Sequence, residues 1–111
     1  MLFRSDAAPC LAHLEPAIQL QRERGDLAGL LRALSSQLRT HITLTAAPYG
    51  TLVDVEPLET ALEELGQAEP ELRGRACGLL SEAYSMAKRP ERAMGMARRA
   101  LEIGQIGRAH V

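Results

Sequence analysis

The stretch Gly74–Gly104, GRACGLLSEAYSMAKRPERAMGMARRALEIG, decides the fold. Ala76, Leu79, Leu80, Ala83 and Tyr84, with Leu72 just upstream, recur at three- and four-residue steps, the period of an amphipathic helix. The run Lys88-Arg89-Pro90-Glu91 breaks it: proline is excluded from a helix interior but suits a first turn. Beyond the break, Ala93, Met94, Ala97, Ala100 and Leu101 are expected to form a second apolar face. Two helices joined by so short a turn must lie antiparallel.

Reading outward, the same grammar recurs. Pro70 opens the helix that carries Leu79 and Tyr84. Before it, Asp54 is expected to cap a helix with Pro57 in its first turn, a Leu58, Leu62, Leu65 stripe and a stop at Gly66. Asp26 is expected to cap a longer helix to Leu44, with Leu27, Leu30, Leu31, Leu34, Leu38 and Ile42 as its stripe. The β-branched THITLT at 40–45 predicts fraying, and AAPYG at 46–50 predicts a loop. The first helix is expected over Ala8–Arg24, capped by Ser5 or Asp6. Leu11, Leu14, Ile18 and Gln21 would lie near one face, with Ala17 and Leu20 beside it. Pro16 predicts a kink or a start nearer Glu15, and Gly25 ends the segment. The fold class is therefore all-α, with about five helices in antiparallel hairpins. AGLLRALSSQ at 28–37 and CGLLSEAYSM at 77–86 share Gly-Leu-Leu, and ALEEL at 61–65 matches ALEIG at 100–104. Repeated hairpins of this kind predict a stacked solenoid.

Residues 74–104 resemble a tetratricopeptide repeat. Leu80, Ser81 and Tyr84 stand where that family has a large apolar, a small and an aromatic residue on its first helix. Ala93, Ala97 and Ala100 stand at the small, larger and small positions of its second. Ser81 replaces the usual Gly or Ala, Ala97 a bulkier residue, and Cys77 a common Trp. Small residues at Ser81, Ala93 and Ala100 would let the helices approach, while Leu80 and Tyr84 fill the space between hairpins. The resemblance implies a concave groove lined by the first helices. It assigns Arg75, Gly78, Glu82, Ser85 and Met86 to that groove, with Asp26, Gly29, Ala33, Ser36 and Gln37 as counterparts. The wider style resembles the degenerate repeats of large bacterial signalling regulators, of the LuxR-type or cyclase-linked ATPase kind. No phosphate-binding loop or recognition helix of such regulators occurs here.

Composition narrows the function. The chain is 46% hydrophobic with a net charge of -1, which suits one globular core and gives no electrostatic reason for nucleic acid or an anionic membrane as partner. No apolar run reaches membrane-spanning length, and MLFRSDAAPC lacks the uninterrupted apolar stretch of a signal peptide. Cys10 and Cys77 are too few for a disulfide framework and are expected to be small buried hydrophobes in a reduced, cytoplasmic setting. Cys10-x-x-His13 has metal-clamp spacing but no second pair, so no metal or cofactor is expected. His41 has no placed nucleophile, and no catalytic residues are assigned. Segment 54–71 holds seven acids and no base, and segment 73–99 holds seven bases and two acids. That division reads either as solvated faces or as a bipolar surface that selects a partner.

Residues 105–111, QIGRAHV, read differently. The codons ATC GGA AGA GCA CAC GTC, followed by the stop TGA, encode the last six residues and resemble a sequencing adapter beginning AGATCGGAAGAGCACACGTCTGA; its leading AG completes a CAG codon for Gln105. The expectation is a non-native tail on a fragment whose natural sequence continues past Gly104. The expected organisation is then 1–25 as the second helix of a preceding repeat, 26–66 as a degenerate hairpin, 67–104 as the repeat-like hairpin, and 105–111 as the tail. The function expected is a non-enzymatic scaffold that binds a protein, a peptide or neighbouring domains of a parent chain. Two other expectations stand beside it: a freestanding bundle that dimerises, and a helical accessory domain of an enzyme.

Overall fold

A computed structural model describes residues 2–44 and 50–109, with side chains described for 11–43 and 50–105. It contains five helices: α1 (Leu2–Arg24), α2 (Leu27–Leu44), α3 (Glu56–Leu65), α4 (Pro70–Met86) and α5 (Pro90–Ala109). No strand occurs among the described residues. The predicted loop at 46–50 lies outside the described residues except for Gly50. The chain is all-α, as the periodicity predicts.

Two turns of the same construction close the hairpins. At the end of α1, the Asp26 N–H donates to the Gln21 carbonyl and the Gly25 N–H to that of Arg22, at 3.0 and 3.2 Å. At the end of α4, the Arg89 N–H donates to the Tyr84 carbonyl and the Lys88 N–H to that of Ser85, at 2.8 and 3.1 Å. Both are Schellman motifs, in which one left-handed residue turns the chain so that carbonyls stranded at the helix end are used. That residue is Gly25 (φ 68) in the first turn and Lys88 (φ 59) in the second. Asp26 then accepts the Gly29 N–H at 2.9 Å, the predicted N-cap of α2.

Each helix packs on its neighbours in the chain or on the helix after next. α2 meets α1, α3 and α4, with α1 its most extensive partner, and α4 meets α5, α2 and α3. Among the described residues the backbones of α1 and α3 stay more than 8 Å apart, as do those of α3 and α5. This order is compatible with stacked hairpins. The core takes Leu31, Leu34 and Leu38 from α2, Leu58, Ala61 and Leu62 from α3, and Ala76, Cys77, Leu80, Ala83 and Tyr84 from α4. Val55, Ala93 and Ile103 close it. Leu52 and Val53 pack against it from the connection before α3, and the Gly50 N–H donates to the Met86 carbonyl at 2.9 Å, which ties that connection to the end of α4.

Several expectations need correction. α1 begins at Leu2 and continues through Pro9 and Pro16, so Ser5 and Asp6 lie inside it rather than capping it. Pro16 deprives the Ala12 carbonyl of its donor, but both residues are exposed, where water can serve that carbonyl. α2 holds its helix through Thr40 and Thr43, whose hydroxyls donate to the Ser36 and Arg39 carbonyls at 2.8 Å each. Ile42 beside them packs on the core, and that burial offsets the β-branched cost. Val55, not Asp54, holds the N-cap position of α3; the Asp54 carboxylate accepts the Glu56 N–H at 3.2 Å from one residue earlier. The inward face of α5 is Ala93, Met96, Ala100 and Ile103. Met94 and Leu101 are 57% and 59% exposed, and Ala97, assigned to repeat packing, is exposed as well.

The packing of α4 against α5 depends on small groups. The Ser81 hydroxyl donates to the Ala93 carbonyl at 2.8 Å, so the residue that replaces Gly or Ala adds a hydrogen bond between helices. Among the described residues Tyr84 is the largest fully buried side chain, 1% exposed. Its hydroxyl donates to Glu59 Oε1 at 2.9 Å, and Arg92 sits 5.7 Å from its ring centroid. One side chain therefore joins α3, α4 and α5.

Tyr84→Phe keeps the ring and deletes the bond to Glu59, so it should cost about 1 kcal/mol in urea unfolding; an unchanged midpoint would show that the bond contributes nothing net. Burial raises the pKa of both Cys77 and Tyr84 above their ordinary 9.0 and 10.0. Arg99 and Arg73 pull Cys77 the other way. For Tyr84, the hydrogen bond from Arg92 lowers the pKa, whereas Glu59 raises it further. Because the folded values lie above the unfolded ones, the unfolded chain ionises first as pH rises. The stability contributed by the protonated forms is complete below the ordinary thiol value and is lost upward through the folded values. The urea midpoint should therefore decline on the alkaline side of the thiol range, and Cys77→Ala should remove the first part of that decline.

Candidate functional site

The residues assigned to a groove on α4 share one strip. Arg75, Gly78, Glu82 and Ser85 follow at alternating three- and four-residue steps, and all are exposed. Met86 lies beside them, 36% exposed. The opposite side of α4 carries Ala76, Cys77, Leu80, Ala83 and Tyr84 into the core, which fixes the strip's orientation. A Cβ built on Gly78 meets nothing within 4 Å, so the strip is open at its centre.

The counterparts on α2 divide. Asp26 is committed to capping α2. Gly29 faces α1: a Cβ there would lie 2.9 Å from the Gln21 side chain and 2.6 Å from Asp26 Oδ2. Both residues belong to the α1–α2 turn and not to a shared groove with α4. Ser36 is exposed, and Ala33 and Gln37 are partly covered. Of the packing residues, Leu80, Tyr84 and Ala93 are buried, and Ser81 and Ala100 are partly so. The exposed His13 brings no metal set with it, and the Cys10 side chain lies outside the described residues. No group of three metal-ligating side chains occurs among the described residues.

A second concavity lies on another side of α2. Because α1 and α3 flank α2 with their backbones apart, a cleft of about 680 Å³ opens between them. Its walls are Glu15, Ile18 and Arg22 of α1 and Asp54 and Pro57 at the start of α3, and Leu34 and Gln37 of α2 form its floor. It shares walls with two smaller cavities. One, of about 240 Å³, lies beside Arg22, Leu30, Glu56, Thr60 and Glu64, and the other, of about 120 Å³, lies beside Leu38, His41 and Leu58. The acids Glu15 and Asp54 are exposed on its rim, Glu56 and Glu64 are exposed on that of the adjoining 240 Å³ cavity, and Arg22 is the one arginine or lysine among the described residues lining the two.

This cleft was not assigned as a site from the sequence. The acid-rich segment 54–71 was the visible signal, but nothing in spacing says that α1 lies opposite Asp54. The role of Arg73 was equally hidden: its Nε and Nη2 donate to the Ala68 and Gln67 carbonyls at 2.6 and 2.8 Å, closing the α3–α4 turn around the left-handed Glu69. No helix among the described residues is long and apolar enough to cross a membrane. No protein-family model, curated protein or solved structure matches the chain.

Gly78→Ala fills open space on an ordinary helical backbone, so it should raise stability by about 0.5–1 kcal/mol in urea unfolding. A loss of stability would mean that the strip is not open.

Proposed function

We propose that the chain is a helical interaction scaffold that presents a fixed side-chain strip to a protein, a peptide or a neighbouring domain of a longer chain. The observation that carries the reading is the division of α4. One side is locked into the core by Leu80, Ala83 and Tyr84, while Arg75, Gly78, Glu82 and Ser85 stand exposed on the other. A strip held so rigidly costs little ordering on binding. The resemblance of 74–104 to a tetratricopeptide repeat supports the same reading, and it suggests a place in the repeat region of a bacterial cytoplasmic regulator. The reading assigns no catalytic step, cofactor or nucleic-acid contact to these residues.

Capture of peptides from a displayed library tests it. Recovered peptides should bind about tenfold more weakly to Arg75→Glu, equivalent to about 1.4 kcal/mol, with helix content unchanged by circular dichroism. Equal binding by the wild type and Arg75→Glu would remove the strip from the function.

A further inference from the structure

We infer that the cleft between α1 and α3 is a second binding site, distinct from the α4 strip, and that it takes a short amphipathic helix whose apolar face is flanked by Lys or Arg. The cleft exists because α1 and α3 both lean on α2 and stay apart. Its α1 wall runs from Ala12 to Arg22, about 15 Å at the rise of a helix. That length matches about three turns of a partner helix lying alongside. The floor is apolar at Leu34, and Ile18 and Pro57 form apolar shoulders. A helix laid into such a floor buries one stripe and leaves its flanks at the rim.

The rim selects the charge of those flanks. Glu15 stands on one wall and Asp54 on the other, with Glu56 and Glu64 in the adjoining 240 Å³ cavity, against Arg22 alone. These acids neighbour no ligand-like cluster of their own, and a cation alone would leave the apolar floor unused. Like charge on a partner would be repelled from both walls, whereas Lys or Arg on its two flanks would meet an acid on each side. Gln37 on the floor offers an amide to the polar edge of the occupant. Surface charge of this kind acts chiefly on selectivity and encounter, so the binding is salt-sensitive.

The test uses the full chain and a labelled twelve-residue helical peptide with leucines at helical spacing and lysines on both flanks, read by fluorescence anisotropy. The protein variant Glu15→Lys with Glu64→Lys reverses one exposed acid of the cleft and one of the adjoining cavity without touching the core. Asp54→Asn, which keeps a side-chain oxygen for the Glu56 N–H, is the second variant. Binding should weaken about tenfold or more in the double variant and less in Asp54→Asn. A peptide with glutamates in place of its lysines should fail on the wild type and regain affinity on the double variant. Glu82→Lys, on the α4 strip, should leave binding unchanged. Unchanged binding to the double variant, or no recovery with the swapped peptide, would overturn the inference. Equal binding by a peptide with serines for leucines would reduce the cleft to a cation site and would also overturn it. Sensitivity to Glu82→Lys alone would place the peptide on the α4 strip, supporting the scaffold reading while removing the cleft from it.

Discussion

The structure depends on the burial of Tyr84 with its hydroxyl bonded to Glu59. Aromatics are 3% of the chain, and among the described side chains this is the one Phe, Trp or Tyr ring, buried in the core. Its position on α4 faces both α3 and α5, and the bond to Glu59 fixes α3 from a distance of 25 residues in sequence. A buried phenol without a partner would cost more than the ring gains by specificity, so Glu59 is what allows a tyrosine there. Arg92 above the ring completes the junction from α5. Around it, the Ser81 hydroxyl and the small Ala93 hold α4 and α5 at close range. The short α3 gains its place from this junction and from Val55, Leu58 and Leu62 more than from its own length.

Legibility in the sequence follows side-chain size. α2, α3 and α4 were readable because leucine stripes of one period leave one possible inward face. α5 was misread because AMGMARRALEIG carries two apolar stripes, Ala93-Met96-Ala100-Ile103 and Met94-Ala97-Leu101. Periodicity ranks them alike; only the surface of α4, narrow at Ser81, selects the first. α1 was misplaced at its start because proline was read as a boundary, whereas an exposed carbonyl one turn earlier tolerates it. Of the candidate site, the α4 strip was legible as the complement of its buried face. The cleft was not, since it is formed by the distance between α1 and α3, and the separation of two helices whose backbones stay apart leaves no mark in either.

The two exposed surfaces have different characters. The α4 strip mixes Arg75 and Glu82 around a bare glycine, so it favours shape over charge. The cleft is acidic on both walls with apolar ground between them. The division of acids and bases along the chain, which alone could mean only solvation, acquires a location: Asp54, Glu56 and Glu64 line the cavities beside α2 and Glu59 is held by Tyr84, while Arg73, Arg92 and Arg99 serve the α3–α4 turn, the Tyr84 ring and the neighbourhood of Cys77.

The packing order also sets a gradient of cooperativity. Among the described residues α1 leans only on α2, and α5 only on α4, whereas α2 and α4 each have three neighbours. In a chain joined this way, stability is close to a sum over adjacent pairs, so the outer helices can open without the centre. The α1–α3 cleft has α1 as one wall. Its width is therefore not a fixed dimension of the core but a quantity set by how α1 sits on α2, and an occupant bridging α1 to α3 would tie α1 to a second helix and transmit that gain to α2 and α3.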